Sequence, residues 1–156
     1  TLLRLEGFEE SVQVRAEQLT GLLASHAAPV PIDLADAASV WSDIREARFL
    51  RGAEALWRVH LAPSGAAGFA DAVTQSEAQW CLDWAGASAW VGAASGLDVR
   101  ALAEAHGGHA MLIRAPDGMR RVTAIRHPEP PAVAALTARV KQAFDPAGIL
   151  SPSRFD

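Results

Sequence analysis

Residues 78–92, AQWCLDWAGASAWVG, hold the signal that decides the fold of this chain. Two runs rich in Trp, Leu and Val, residues 78–84 and 88–92, flank the short segment Ala85-Gly86-Ala87. A brief loop that contains glycine between two such runs is typical of a β-hairpin. We therefore predict two antiparallel strands here.

Strand and helix signals alternate on both sides of this hairpin. Upstream, residues 55–61 alternate as a strand and residues 65–74 indicate a short helix. Downstream, Asp98 is a suitable N-cap for a helix that ends at Gly107-Gly108, and residues 109–114 alternate as another strand. Two β-α-β units side by side predict an α+β ferredoxin-like sandwich, with an antiparallel sheet and helices on one face. The other face would be left open.

Further elements are predicted outside these two units. Their apolar residues recur at strand or helix spacing, and in the last helix we expect the apolar stripe to face inward. The predicted elements are a strand at residues 2–7, helices at 9–25, 34–51 and 131–144, and a hairpin partner for the last strand at 119–126. The inward stripe of the last helix comprises Val133, Leu136, Val140 and Phe144.

Composition excludes several classes of protein. A chain of 156 residues, half of them apolar, is long enough for one domain with a real core. The net charge of −4 and the scattered arginines argue against nucleic-acid binding. No run approaches the roughly 18 apolar residues that span a bilayer. A single cysteine, Cys81, excludes an internal disulfide and fits a reducing compartment, so we expect a cytoplasmic location.

The strand pattern places candidate ligand-binding residues on one face of the sheet. Arg58 and His60 share a face of their strand, and Asp83 and Arg114 could join them from other strands. An arginine can grip a carboxylate with two hydrogen bonds, and a histidine can act as a base. An Arg58–Asp83 cross-strand ion pair and a half-buried His60 at the rim are the simpler structural alternatives.

Other reactive side chains lack the partners that a site would need. His106 and His109 are separated by a helix break and no third ligand is evident, so no metal site is predicted. Cys81 has no positioned histidine partner and is expected to be a small buried hydrophobe. The glycine-containing segments 65–68 and 107–108 lack the strand-to-helix context of a phosphate-binding loop.

The C-terminal sequence resembles that of a flavoprotein family. Residues 141–156 read KQAFDPAGILSPSRFD. Asp145-Pro146 is expected to end a helix, Gly148 to permit a left-handed turn, and Ile149-Leu150 to form an apolar anchor. The string resembles the C-terminus of FAD-linked oxidases of the vanillyl-alcohol-oxidase type, which end in a pattern close to K-x-x-F-D-P-x-G-I-L-N-P-G-K/R.

Four other segments are similar to the FAD-binding subunit of bacterial glycolate oxidase. They are Leu56-Trp57-Arg58, residues 82–87 with Trp90, residues 107–110, and Arg126-His127-Pro128. The resemblance implies that residues 1–156 are the C-terminal cap, or substrate, domain of a larger flavoprotein. FAD would bind to an upstream domain of the same protein, and this fragment alone would hold it weakly or not at all. The implied reaction is the oxidation of a small 2-hydroxy acid such as glycolate.

Together, the strand faces and the resemblance give a set of candidate site residues. They are Arg58 and His60 as catalytic residues, Arg58, Asp83, Arg114 and His127 as substrate-binding residues, and Ser151 and Arg154 as cofactor-binding residues. Ser151 and Ser153 stand where the family usually has Asn and Gly. The implied partners are the upstream FAD-binding domain and other subunits of glycolate-oxidase type, through which the protein could lie at a membrane surface. A non-catalytic assembly domain that docks a partner flavoprotein subunit is the alternative, and an open sheet face would also allow a homodimer.

Overall fold

The computed structural model describes residues 1–150, which fall into two compact units with a boundary between residues 42 and 43. The first unit contains α1 (Glu9–Leu23) and most of α2 (Leu34–Arg45), and neither helix has a buried residue. The strand predicted at residues 2–7 is not formed. A strand requires a neighbour for its backbone groups, whereas here the Glu6 carbonyl accepts a hydrogen bond from the Arg15 side chain.

The second unit is built on a four-stranded sheet. Its strands are β1 (Ala55–His60), β2 (Gln79–Asp83), β3 (Ser88–Ala93) and β4 (His109–Arg114). Helix α3 (Ala66–Gln75) connects β1 to β2, and α4 (Val99–Ala105) connects β3 to β4. All pairs are antiparallel and the strand order is β2-β3-β1-β4. The α+β class and the antiparallel sheet predicted from the sequence are confirmed.

The core lies between one face of this sheet and helices α3 and α4. Alternate residues of β1, such as Trp57 and Val59, pack there against Phe69 and Val73 of α3 and Val99 of α4. Full burial of a side chain such as Phe69 contributes about 1.5–3 kcal/mol relative to exposure. Asp98 caps α4 as predicted, because its carboxylate accepts a hydrogen bond from the Ala101 N–H (3.0 Å).

Two glycines allow the backbone to pack closely at the end of β1. A Cβ at Gly108 would lie 2.6 Å from the carbonyl oxygen of His60, and one at Gly65 would lie 2.8 Å from that of His106. Both distances are too short for any side chain. Gly65 and Gly108 belong to the two segments that lack the sequence context of a phosphate-binding loop. In the structure they allow close packing of the backbone.

The predicted helix over residues 34–51 and the predicted hairpin partner at 119–126 are both wrong in part. Helix α2 ends at Arg45. Ala47 then adopts a left-handed φ of 48°, and a short 3-10 turn follows at Arg48–Leu50. Residues Asp117–Arg120 form a short helix, α5, instead of a strand. Arg100 of α4 donates hydrogen bonds to the carbonyls of Ala124 and Arg126. The Ile125 carbonyl between them accepts a hydrogen bond from the Leu112 N–H of β4 (2.8 Å), so this segment touches β4 without forming a strand beside it.

The last helix, α6 (Pro131–Phe144), is confirmed, but its predicted inward orientation is wrong. Its apolar side chains are exposed, with Val133 at 47%, Leu136 at 58% and Phe144 at 82%. The turn after α6 is tied to Asp145, whose carboxylate accepts hydrogen bonds from the Ile149 N–H (2.9 Å) and the Leu150 N–H (3.0 Å). The side chains of Ile149 and Leu150 are themselves exposed.

Candidate functional site

The sheet face that points away from α3 and α4 carries two rows of side chains. Directly paired residues of antiparallel strands project from the same face, so the register fixes each row. The Arg58 row comprises Cys81, Trp90, Arg58 and Met111. The His60 row comprises Asp83, Ser88, His60 and His109. The shared face predicted for Arg58, His60 and Asp83 is therefore confirmed.

One end of this face is covered by the chain itself. Leu56 is buried there against Ala47 and Leu50. Arg114 fastens the covering segment, because its Nη2 donates to the carbonyl oxygen of Leu50 (3.0 Å) and approaches those of Arg51 and Ala53 (3.3 Å each). This geometry gives Arg114 a structural role, and its predicted role in substrate binding stays untested.

Arg58 is half-buried beyond the covering segment and has no acidic partner among residues 1–150. The expected ion pair with Asp83 is not formed, because β3 separates their strands. Asp83 accepts instead from the backbone N–H of Trp84 (2.8 Å). The Arg58 guanidinium lies 5.3 Å from the centre of the Trp90 ring. Its Nε is buried and has no hydrogen-bond acceptor among the described residues, so this donor stays unsatisfied.

His60, two residues along the same strand, belongs to a group of three imidazole rings. The rings of His60 and His109 stack with centres 5.4 Å apart, and the His127 ring meets that of His109 edge-on at 6.1 Å. Burial lowers the pKa of His60 below its usual 6.5, and the positive charge of Arg58 and then His109 lower it further. The neutral imidazole that this favours can accept a proton.

His127 connects the segment after α5 to β4. Its Nδ1 accepts a hydrogen bond from the Ala110 N–H (3.4 Å), and its Nε2 lies 3.5 Å from a carboxylate oxygen of Glu104. A shallow groove of about 640 Å³ lies between β4 and residues 126–130, next to His109 and Met111. The structure thus places His127 beside β4, next to His109, and its predicted substrate-binding role stays untested.

Three members of these rows were not predicted from the sequence. His109 was considered only at a strand start and as a metal ligand with His106, and Ser88 and Met111 were not considered. Ser88 is 2% exposed and its hydroxyl has no hydrogen-bond partner among residues 1–150. All three positions follow from the pairing of β1 with β3 and β4, which a single sequence does not reveal. Cys81 is half-buried, and burial and then the charge of Asp83 raise the pKa of its thiol.

A second cavity, of about 440 Å³, lies beside α4 on the other side of the sheet. Arg100 crosses it with its guanidinium 5.2 Å from the centre of the Trp57 ring, and burial lowers the pKa of Arg100. One guanidinium nitrogen donates to the carbonyl oxygen of Arg126 (2.8 Å). Arg100 therefore holds the backbone at Arg126 in place, and we assign Arg100 a structural role.

Gly65 and Gly108 leave no room for the pyrophosphate of FAD. Neighbouring atoms fill the space beside Gly65 and Gly108, so neither glycine belongs to an open loop that could bind a pyrophosphate. The cofactor-binding candidates Ser151 and Arg154 lie outside the described residues. Within residues 1–150, no three His, Cys, Asp or Glu side chains are placed to hold one metal ion. No helix in that range is long and apolar enough to cross a membrane.

Comparisons with known proteins add no further support. No family model, curated protein or solved structure matches this chain. The resemblance to FAD-linked oxidases rests on the sequence motifs alone.

Proposed function

We propose that this chain is the substrate domain of an FAD-dependent oxidoreductase subunit that acts on a small 2-hydroxy acid such as glycolate. The observation that carries the proposal is the Arg58 guanidinium, which lies on the same sheet face as His60 and has no acidic partner among residues 1–150. The C-terminal motif supports the flavoprotein family. The order β1-α3-β2-β3-α4-β4, with both helices on one face, supports a ferredoxin-like sandwich.

Each residue of the proposed site has a chemical task. Arg58 binds the carboxylate of the acid, and the Trp90 ring beneath it restricts the guanidinium to this face. His60 accepts the proton of the hydroxyl group, since its lowered pKa keeps the imidazole neutral. His109, stacked on His60, shields that ring on the β4 side. FAD itself would bind to another part of the protein, so we derive no step that involves it.

The proposal can be tested by NMR titration of the purified chain with glycolate. We expect the Arg58 Nε–H signal and the His60 ring signals to shift together, and Arg58→Ala to abolish the shift at His60. Arg121, an exposed arginine at the end of α5, provides the matched control, and Arg121→Ala should leave the titration unchanged. If saturating 2-hydroxy acid shifted neither Arg58 nor His60, the proposed substrate site would be wrong.

A second function, non-catalytic assembly, is favoured by one observation. Helix α6 exposes an apolar stripe that includes Val133, Leu136 and Phe144, and such a stripe suits a surface that another protein covers. The partner would be a flavoprotein subunit of glycolate-oxidase type or the FAD-binding domain of the same protein. Reconstitution of the subunit with FAD separates the two functions. Flavin bleaching by 2-hydroxy acid with this subunit alone supports the substrate site, and bleaching only with a partner supports assembly.

A further inference from the structure

We propose that the groove between β4 and residues 126–130 holds the side chain of the 2-hydroxy acid, so that the preferred substrate carries an apolar side chain rather than being glycolate. This inference rests on the proposed function, because it takes the carboxylate to be at Arg58.

The register of the sheet places the groove next to the two candidate catalytic residues. Met111 of β4 pairs directly with Arg58, and His109 pairs with His60. Both β4 residues line the groove. We take the carboxylate of the acid to lie at Arg58 and its hydroxyl group to lie at His60. The side-chain carbon atoms of the acid then extend to one of the two sides of β1. On the β4 side they meet Met111, and on the β3 side they meet Trp90, which already lies under Arg58.

The lining of the groove suits an aliphatic group. Met111, Pro128 and Pro130 supply apolar walls, and the methionine side chain can adapt to the shape of a ligand. The carboxylate of Glu129 is engaged, because it accepts a hydrogen bond from the Thr137 hydroxyl (3.0 Å). The volume of about 640 Å³ lies within the range of small-molecule sites, and glycolate, which has no side chain, would leave it empty of ligand.

The test compares two acids that differ only in this side chain. We would titrate the purified chain with glycolate and with 2-hydroxyisocaproate and follow the Arg58 and His60 NMR signals. Half-burial of the four-carbon side chain predicts about tenfold tighter binding of 2-hydroxyisocaproate. Met111→Ala should reduce this preference to about twofold or less, as should Met111→Gln, which keeps the length of the side chain but makes it polar.

Ile113 provides the matched control on the same strand. It is exposed to a similar extent as Met111 (45% against 39%) but does not line the groove, so Ile113→Ala should keep the preference. Equal affinity for the two acids, with shifts at both Arg58 and His60, would overturn this inference and leave the proposed function standing. A preference that survives both Met111 variants would also overturn it. Binding of neither acid would overturn the inference and the proposed function together.

Discussion

Replacing Arg114 by Ala is expected to destabilise the fold and to leave ligand binding at Arg58 unchanged. Nη2 of Arg114 reaches three carbonyl oxygens, at 3.0, 3.3 and 3.3 Å. One nitrogen carries only two hydrogens, so these contacts amount to no more than two full hydrogen bonds. A hydrogen bond that involves a charged group contributes about 1.5–3 kcal/mol, and partial exposure reduces it. We therefore expect a loss of about 2 kcal/mol in the free energy of unfolding.

Urea unfolding followed by tryptophan fluorescence measures this loss. With a denaturant slope of about 2 kcal/mol per molar, the midpoint should fall by about 1 M. The exposed Arg121 again provides the control, and Arg121→Ala should change the stability by no more than about 0.5 kcal/mol. The structural role assigned to Arg114 would be refuted if the Arg114→Ala protein were as stable as the control. Loss of 2-hydroxy-acid binding at unchanged stability would instead restore its role in substrate binding.

Three further perturbations test the electrostatics and the packing. Because the pKa of His60 is lowered from 6.5, the unfolded chain binds a proton that the folded chain does not in the window below that value. Stability should fall as the pH drops through this window, and His60→Gln should flatten the dependence measured by urea unfolding. The raised pKa of Cys81 should slow its alkylation by iodoacetamide at neutral pH, and Asp83→Asn should speed it, as mass spectrometry would show. Gly108→Ala should cost about 1–3 kcal/mol in thermal or urea unfolding, whereas Gly118→Ala, with nothing within 4 Å, should cost almost nothing.

The order of strands and helices in the second unit was predictable because its signals are local. Period-two alternation marks β1 and β4, and Asp98 and Gly107 mark the two ends of α4. Each signal depends only on residues close in the sequence. The α+β class follows directly from the order of these elements.

The errors arise where the outcome depends on residues far apart in the sequence. An ion pair between Arg58 and Asp83 presupposed that β1 and β2 are neighbours, and the insertion of β3 between them separates the two charges. The amphipathic pattern of α6 showed which of its faces is apolar, but not whether that face is covered. The group formed by His60, His109 and His127 was missed for the same reason, since strand pairing and the segment after α5 bring the three rings together.

The close approach of Gly108 to the end of β1 also has a consequence for how the chain can vary. Gly108 immediately precedes His109, and it packs against the peptide group of His60 and the Cβ of Leu61. The distance between the His60 and His109 rings therefore depends on how the main chain packs at Gly108. Gain or loss of a single residue in the turn after α4 would shift β4 by one position. That shift would move His109 away from His60 and turn Ala110 and Leu112 out of the core, so this turn should tolerate no change of length.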